Sequence, residues 1–588
     1  MCGLVGIYSR ACSPEQKQIL LARMLAAIEH RGPDGVAMYS DEEAGIALCR
    51  LAIVDRACAS PLHWNEDDTC VLALNGEIYN HRELRKQLSK HRFRSQTDAE
   101  VLLHAFEEWG IQSVQTLDGD FAFVFWDRLA KRGVLVRDRS GVKPLYYARI
   151  GDGLVFASEL KALLAGFPEL AQLSLQALAR YLTHRFVPGP RTIFQKIMKL
   201  QPGCYLTFSA VDEPEQRRYW DYPREEVIAY DEEAQIVRGR ALLEAAVTAR
   251  LADEVTYGVL LSGGLDSSLL TAMAARASQD PLQTFSVVFF GNALLEESVS
   301  EHRYSRLVAR TTGTRHAELP VDAELFMHAC TKALYQLEEP IADPPAVLLH
   351  LLCDWIKQAG VTVLLSGEGA DELFAGYPVY AQPRPGYMGM GVLFTEEEKA
   401  QLLSFEALPE PLQLPATVRS WDWLHQMLYV DCTCWLVDDL LLKADKMGML
   451  SAVEIRVPFL DHRVAEYAFS LPPQAKRNGS MNKYLLRKIA EPYLPETIIH
   501  QHKRGFPLPL GIWLKGELRS WVEALLLDGL RRRGYFEPVA LERLLQGYFE
   551  EEIPHDAYRP HHMIWALVTL ELFLQSLQSG NVQTKPQS

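Results

Sequence analysis

Short apolar runs separated by turn residues dominate the first 210 positions, a pattern typical of β-strands. Such runs are TCVLALNGEIYN at 69–80, GDFAFVFWD at 119–127, RGVLVRD at 132–138 and GLVFASE at 153–159. Helical periodicity occurs near 15–30, 81–90 and 98–109. This mixture predicts antiparallel sheets combined with helices over 1–210.

The pattern changes after a charged, proline-containing stretch, which predicts a linker at 211–235 and a second domain at 236–588. In that domain an apolar run, a glycine turn and a helical pattern follow one another in TYGVLL, SGGLDSS and LLTAMAARAS, and VTVLL is followed by SGEGADE. This order predicts a parallel α/β sheet with a site at the carboxyl ends of its strands. The Pro-rich stretch 381–420 is interpreted as an insertion or mobile segment over that site.

Composition narrows the class of protein. The 588 residues carry a net charge of −15, which argues against nucleic acid or an anionic membrane as the main partner. The ten cysteines lack zinc-site spacing and are too sparse for a disulfide scaffold. With no signal sequence and no apolar run of about 18 residues, we expect a cytoplasmic protein.

The opening MCGLVGIY raises the possibility of a nucleophile at the amino terminus. If Met1 is removed, Cys2 carries its thiol beside a free α-amine. Reference pKa values of ~8.5 for the thiol and ~7.7–8.0 for the amine would let the amine accept the thiol proton. The plain alternative is that Met1 stays and this cysteine is incidental.

Other residues of the first domain suit a free amino acid with a side-chain amide. Arg50 could bind an α-carboxylate, Glu77 and Asp98 could bind an α-ammonium, and an Asn75-Gly76 turn could form an oxyanion hole. Each also has a structural explanation: a hairpin turn for Asn75-Gly76, a surface ion pair for Arg50 and a helix N-cap for Asp98.

The second domain lacks a Walker loop but carries LLSGGLDSS at 260–268, which predicts a pyrophosphate cradle formed by backbone amides, hydroxyls and a helix N-terminus. The residues of this cradle are Ser262, Gly263, Gly264, Asp266, Ser267 and Ser268.

Charged residues beyond the cradle suggest the rest of the chemistry. Asp266 and Asp371 could hold Mg²⁺. Lys483 and Arg487, four apart on a predicted helix, could present two cations on one face to phosphate, although such a pair is commonly only a solvated stripe. Glu368 could accept a proton when ammonia attacks an activated acid.

These stretches, in order, resemble the glutamine-hydrolysing asparagine synthetases. MCGLVGIY, HRGPDG, RLAIVD, NGEIYN, DGDFAFVFWD, RDRSGVKPLYY and FASELKALL are similar to their amino-terminal nucleophile glutamine amidotransferase domain. LLLKADKMGMLSAVEIRVPFLD, NKYLLRKIA and KRGFPLPLGIWL are similar to their ATP pyrophosphatase-type domain. The resemblance implies an αββα sandwich followed by a parallel-sheet domain.

The resemblance also implies roles. Cys2 would form the glutamyl thioester, with Arg50, Glu77 and Asp98 holding glutamine and Asn75 and Gly76 stabilising the oxyanion. The implied ATP-binding and metal-binding residues are Leu260, Ser262, Gly263, Gly264, Asp266, Ser267, Val287, Ser366 and Gly367, with Mg²⁺ on Asp266 and Asp371. Lys483 would be the catalytic cation, Lys503 and Arg504 would be weaker candidates for pyrophosphate contact, and Glu368 would mark an ammonia user.

We therefore expect an ATP-dependent and Mg²⁺-dependent amidotransferase that converts aspartate to asparagine, releasing AMP, pyrophosphate and glutamate. The alternatives are the same chemistry on another carboxylate, such as a biosynthetic intermediate or a sugar acid, and a non-catalytic glutamine or nucleotide sensor. An apolar internal passage would carry ammonia between the sites, and the family resemblance allows a homodimer.

Overall fold

The computed structural model describes residues 2–58, 60–209, 213–224, 230–251, 254–289, 302–384, 386–389, 392–410, 414–501 and 508–579. Two antiparallel sheets lie in the first domain, and a parallel sheet lies in the second. The strands are β1 Cys2–Tyr8, β2 Gly35–Ser40, β3 Ala44–Arg50, β4 His63–Trp64, β5 Cys70–Ile78, β6 Gly119–Asp127, β7 Arg132–Arg137, β8 Tyr146–Ile150, β9 Gly153–Ala157, β10 Ile197–Lys199, β11 Cys204–Ser209, β12 Glu215–Arg218, β13 Tyr257–Leu260, β14 Gln283–Phe289, β15 Arg315–Val321, β16 Val363–Leu365 and β17 Glu454–Arg456. A small hairpin pairs Arg477–Asn478 with Met481–Asn482.

Helices cover the sheets and form most of the second domain. They are α1 Pro14–Ala26, α2 His81–Gln87, α3 Asp98–Trp109, α4 Leu160–Gly166, α5 Leu175–His184, α6 Glu232–Ala249, α7 Leu265–Ala277, α8 His302–Thr312, α9 Ala323–Leu337, α10 Pro345–Gln358, α11 Ala370–Phe374, α12 Glu396–Leu402, α13 Trp423–Val430, α14 Leu442–Leu450, α15 His462–Ser470, α16 Pro473–Lys476, α17 Tyr484–Ala490, α18 Glu496–Ile499, α19 Leu510–Lys515, α20 Arg519–Glu523, α21 Pro538–Glu550 and α22 Tyr558–Ser579. A π-helical stretch, Asp431–Leu441, joins α13 to α14.

The first domain is an αββα sandwich, as the resemblance implies. Its antiparallel sheets have the orders β10-β8-β9-β1-β3-β2 and β12-β11-β7-β6-β5-β4. Their inner faces share a core that includes Leu4 and Leu48 from one sheet and Val71 and Val124 from the other. Helices α1 and α4 pack on the outer face of the first sheet, and α2 and α3 pack on that of the second.

The second domain contains a five-stranded sheet of order β15-β14-β13-β16-β17 in which every pair is parallel. Strands β13 and β16 are neighbours at its centre, so the loops that follow them lie side by side. This adjacency confirms the predicted parallel sheet and brings the two predicted loops together at the carboxyl ends of the strands. It arises because parallel strands place all their carboxyl ends at one edge.

Two segments differ from their predicted character. Within the predicted linker, β12 extends the second sheet by pairing with β11, and α6 begins at Glu232. Within 381–420, the described part contains α12, and the buried Leu393 donates its N–H to the Thr183 carbonyl of α5 at 2.9 Å. None of its described residues lines the cavity of the second domain, so the described part of this segment does not cover that cavity. Across the described residues, every helix is too short or too polar to span a bilayer.

Candidate active sites

Cys2 is the first residue of β1, an interior strand of the first sheet, and lies opposite Arg50 of β3. Its N–H donates to the Asn75 side-chain oxygen at 3.1 Å, and its carbonyl accepts from Arg31 Nε at 3.0 Å. Burial raises the pKa of the thiol, while the positive charge of Arg50 acts in the opposite direction. The cysteine is thus fixed by groups from both sheets of the sandwich.

Asn75 and Gly76 lie inside β5 and pair with Ala122 and Phe121 of β6, so the predicted Asn-Gly turn is wrong. Gly76 has φ +149°, and a Cβ at this position would lie 2.2 Å from the Asp120 carbonyl oxygen. Only glycine tolerates this close approach of two strands. The Asn75 amide bridges the sheets by donating to Ser158 Oγ at 3.4 Å.

Arg50 makes hydrogen bonds to backbone carbonyls of the loop after β3 rather than a surface ion pair. Its guanidinium donates to Val54 and Asp55 at 2.8 and 2.9 Å and also to Cys58. Asp98 is the first residue of α3, and Thr97 caps that helix. The Asp98 carboxylate instead accepts the Ile78 N–H at 2.9 Å, which ties the helix to the end of β5.

Glu77 makes a contact that the sequence did not indicate. Its carboxylate lies 3.1 Å from Arg456 Nη2 at the end of β17, in the second domain. Burial, together with the negative charge of Asp98, raises the pKa of Glu77, and Arg456 opposes that shift. An ammonium ion placed beside Glu77 and Asp98 would stabilise both carboxylates in their ionised forms.

The glycine loop of the second domain connects β13 to α7. Gly263 has φ +89°, and a Cβ there would lie 2.7 Å from the Ser305 backbone nitrogen. The Ser262 hydroxyl accepts the Gly264 N–H at 3.3 Å and lies 3.0 Å from the Ser267 hydroxyl. Because α7 starts directly after this loop, its free N–H groups and positive dipole end face the cavity, as an anion site requires.

Lys483 brings the two predicted metal ligands together. Its Nζ lies 2.6 Å from Asp266 Oδ2, in the first turn of α7, and 2.6 Å from Asp371 Oδ1, in α11. The residue has φ +51° and precedes α17, so it does not share a helical face with Arg487 as predicted. Arg487 instead donates to the carbonyls of Asn482 and Ile499.

Except for Gly263 and Ser268, the predicted ATP-site residues and the predicted proton acceptor line one cavity of about 710 Å³. Predicted residues along its wall are Leu260, Ser262, Gly264, Asp266, Ser267, Val287, Ser366, Gly367, Glu368, Asp371, Lys483 and Arg487. Gly263 lies in the same loop. Lys503 and Arg504 fall outside the described residues.

Arg185, Asp343 and Lys443 are charged residues that also line this cavity, although the sequence analysis did not single them out. Asp439 lies beyond the cavity wall, 3.8 Å from Arg185 Nη2. Lys443 Nζ lies 2.6 Å from Asp343 Oδ2. Burial lowers the pKa of Lys443, but Asp343, Glu368 and Asp439 together raise it above its usual value. Arg185 follows α5 of the first domain, so both domains contribute to the cavity wall.

A buried network of charges joins the domains beside Cys2. Arg31 is fully buried and donates to Glu159 and Asp445 at 2.8 Å each. Lys446, one residue after Asp445, pairs with Glu338, whose carboxylate accepts the Leu160 N–H at 2.8 Å. This part of the interface is therefore formed by paired charges, and the apolar passage stays a prediction.

Comparisons with known proteins agree with this two-site arrangement. A family model described as asparagine synthase matches residues 238–575, and one described as a glutamine amidotransferase domain matches 1–220. The chain belongs to the asparagine synthase family. Membership identifies it as a ligase that carries out glutamine-dependent amidation.

Relatives within the asparagine synthase family align along nearly their whole length. Glutamine-hydrolyzing asparagine synthetase 1 of Bacillus subtilis (strain 168) is 32% identical over 582 residues, 90% of each chain. A putative glutamine-hydrolyzing asparagine synthetase of Mycobacterium tuberculosis (strain ATCC 25618 / H37Rv) is 32% identical, covering 92% of each chain. The glutamine-hydrolyzing asparagine synthetase of Zea mays is 30% identical, covering 95% of this chain and 87% of its own.

In this member of the asparagine synthase family, the charged residues that the sequence analysis missed lie in stretches that carry the family resemblance. Arg31, Lys443, Asp445 and Arg456 lie within or beside HRGPDG, LLLKADKMGML and VEIRVPFLD, stretches that the resemblance had already marked. For Lys443, Asp445 and Arg456 the signal was a charged residue inside an apolar run. Such a charge is buried only when a partner compensates it, and these partners come from distant positions in the chain.

Proposed function

We propose that this chain hydrolyses glutamine at Cys2 and uses the ammonia to amidate a carboxylic acid, most simply aspartate, that ATP has activated. The observation that carries the proposal is the position of Lys483, bonded to both Asp266 and Asp371 beside the glycine loop, in the cavity that also contains Glu368. A phosphate-binding loop, two carboxylates, a buried cation and a base in one cavity suit acyl-adenylate chemistry.

At the first site, the Cys2 thiolate would attack the side-chain amide carbon of glutamine. The Asn75 amide and the Gly76 N–H would stabilise the oxyanion, and Arg50, Glu77 and Asp98 would hold the α-carboxylate and α-ammonium. Loss of ammonia leaves a thioester, which water converts to glutamate. Removal of Met1 would supply the amine that accepts the thiol proton.

At the second site, an acceptor carboxylate oxygen would attack the α-phosphorus of ATP, releasing pyrophosphate and forming an acyl adenylate. Ammonia then attacks the acyl carbon, Glu368 accepts a proton, and AMP leaves. Lys483 would stabilise the charge that develops on the phosphates, with Leu260, Val287, Ser366 and Gly367 around the nucleotide.

The carboxylates at this site fit a magnesium ion. Asp266 Oδ1 is buried and makes no hydrogen bond within the described residues, so it remains available as an oxygen ligand. Asp266 and Asp371 would hold the ion, which would supply charge neutralisation to the phosphates when bound.

Aspartate suits the charges of the cavity wall. Its two carboxylates could be met by Arg185 and Lys443, and its ammonium by Asp343. We expect aspartate to stimulate pyrophosphate release from ATP and glutamine more than tenfold over a panel of other acids, measured in one coupled assay. Release stimulated by a bulkier acid but not by aspartate would favour the alternative acceptor, and no release with any acid would favour a sensor.

Transfer of ammonia between the two sites should depend on the buried charged network beside Cys2, which contains Arg31, Glu159 and Asp445. We expect Asp445→Asn, which weakens the bond to Arg31, to raise the ratio of glutamate produced to pyrophosphate released, because ammonia escapes where the interface loosens. Chromatographic glutamate measurement beside the pyrophosphate assay gives this ratio.

The matched control is Glu254→Gln, at an exposed domain contact where Glu254 accepts the Asp55 N–H at 3.0 Å. The control should keep the ratio of the unmodified protein. If both variants gave the unmodified ratio, the buried network would have no part in ammonia transfer.

A further inference from the structure

Two histidines and two glutamates converge on the outer face of the first domain, away from the groups assigned above. They come from three segments: Glu66 between β4 and β5, His91 after α2, and His104 with Glu107 in α3. One ligand-type atom from each residue lies within 4.8 Å of all the others. We propose that this cluster is a zinc-class transition-metal site that braces α3.

The separations between these atoms fit a tetrahedral ion. His104 Nδ1 lies 3.2 Å from Glu107 Oε2 and 3.8 Å from Glu66 Oε2. His91 Nδ1 lies 3.7 Å from Glu107 Oε2 and 3.5 Å from Glu66 Oε1, the second oxygen of the Glu66 carboxylate. Metal–ligand bonds of about 2.0–2.2 Å at tetrahedral angles place neighbouring ligand atoms about 3.3–3.6 Å apart, so small adjustments suffice. Two imidazoles with two carboxylates are a donor set that suits zinc.

Hydrogen bonds from outside the cluster hold the carboxylates of Glu66 and Glu107 in place. Asn65 Nδ2 donates to Glu107 Oε1 at 2.8 Å, which directs Oε2 toward the histidines. The Arg92 N–H donates to Glu66 Oε1 at 2.7 Å. Carboxylates whose orientation is fixed by outer hydrogen bonds are characteristic of metal ligands.

The histidines show the same outer-shell arrangement. His91 Nε2 lies 3.5 Å from Glu108 Oε2, and His104 Nε2 lies 4.0 Å from Glu100 Oε1. Within the described residues, both Nε2 atoms are buried without a hydrogen bond. One metal ion bound to both Nδ1 atoms would leave a proton on each Nε2. Each of these protons would be directed toward a carboxylate, which is the usual carboxylate–histidine–metal arrangement.

Charge balance also favours a divalent ion over protonated histidines. The two rings stack with centroids 4.5 Å apart, so two imidazolium charges would repel each other at close range. A single divalent ion would neutralise the carboxylates of Glu66 and Glu107 while both rings stay neutral. The side chains of these glutamates are partly exposed, which leaves an entry path from solvent.

The site would be structural. Helix α3 begins at Asp98, the proposed glutamine ligand, and Thr97 before it contacts His63 at the start of β4. A metal joining the second half of α3 to the β4–β5 connection and to the segment after α2 would fix the position of this helix, which begins at Asp98. This inference stands apart from the proposed function, since it concerns metal affinity and not turnover.

The test uses the full-length protein stripped with a chelator and titrated with Zn²⁺ by calorimetry. We expect one tight site, a higher melting temperature with zinc, and affinity about 100-fold or more weaker in the double variant His91→Gln, Glu107→Gln, since even outer-shell changes cost 10–100-fold. The control is His328→Gln, which removes an exposed histidine of α9 and should bind zinc like the parent.

Equal zinc affinity in the double variant and the control would overturn the proposal, since other residues such as the free cysteines would then be the ligands. If the double variant failed to fold, Co²⁺ added to the parent would decide. A visible spectrum of a tetrahedral nitrogen–oxygen site supports the proposal, and a sulfur-ligand or octahedral spectrum overturns it.

Discussion

Replacing Cys2 with alanine should abolish amide formation from glutamine while amide formation from ammonium salts continues. The variant loses the only atom that can form the thioester in the proposed mechanism, so glutaminase activity should fall about 10³-fold or more. The ammonia-dependent rate should stay within about twofold, because the ATP cavity is built from the second domain and Arg185. Parallel assays with glutamine and with ammonium chloride measure both rates.

The matched control is Cys12→Ala, which removes a half-buried thiol of the loop after β1. It should leave both rates unchanged. Mass spectrometry of the unmodified protein should show Cys2 at the amino terminus. Loss of both activities in Cys2→Ala, with the fold intact, would contradict two separate sites, and an uncleaved Met1 in active protein would contradict the role of the α-amine.

Replacing Lys483 with methionine should abolish amide synthesis with either nitrogen source and leave glutamine hydrolysis. The proposed role is stabilisation of charge on the phosphates, and removal of one such group costs about 10²–10³-fold in rate. Pyrophosphate release with glutamine or ammonium as donor, and glutamate release alone, distinguish the two sites.

The change has a structural cost as well. Lys483 is 3% exposed and bonded to two largely buried carboxylates, so its loss leaves Asp266 and Asp371 facing each other without a cation. Breaking a buried pair costs about 3–5 kcal/mol, and thermal melting should reveal that loss. Added Mg²⁺ should restore part of it, because the ion would occupy the space between the same carboxylates.

Lys488→Met is the control for this prediction. Lys488 lies on the same helix and pairs at 2.8 Å with Glu491 near the surface. Its removal should change neither the synthetase rate nor the melting temperature appreciably, since exposed pairs contribute little. A synthetase rate in Lys483→Met equal to that of Lys488→Met would rule out the assigned role of Lys483.

Much of the local structure follows from the chain itself. The predicted strands at 119–127 and 153–159 appear as β6 and β9, and the predicted helix at 98–109 appears as α3. These segments have strong apolar periodicity and clear end signals, such as Thr97 before α3. The glycine loop after β13 could also be predicted from its own residues. Gly263 adopts φ +89°, a conformation that glycine reaches without strain.

The backbone conformations of Asn75-Gly76 and of Lys483 could not be predicted from the neighbouring sequence. Asn-Gly usually forms a turn, but the long apolar run of β5 pairs with β6 through both residues, and the sheet overrides the local preference. Lys483 was expected on a helical face with Arg487. It adopts φ +51° instead, where two carboxylates from distant segments hold its ammonium.

By itself, the sequence determined the two domains' character, the residue types at both sites and the family, because these depend on patterns within short stretches. Only the tertiary structure decided that Arg31 and Arg456 reach Asp445 and Glu77 across the domains, that Arg185 borders the proposed ATP cavity and that His91 faces His104. A buried charge takes its partner from whichever segment the fold brings near, and that proximity depends on the packing of the whole chain.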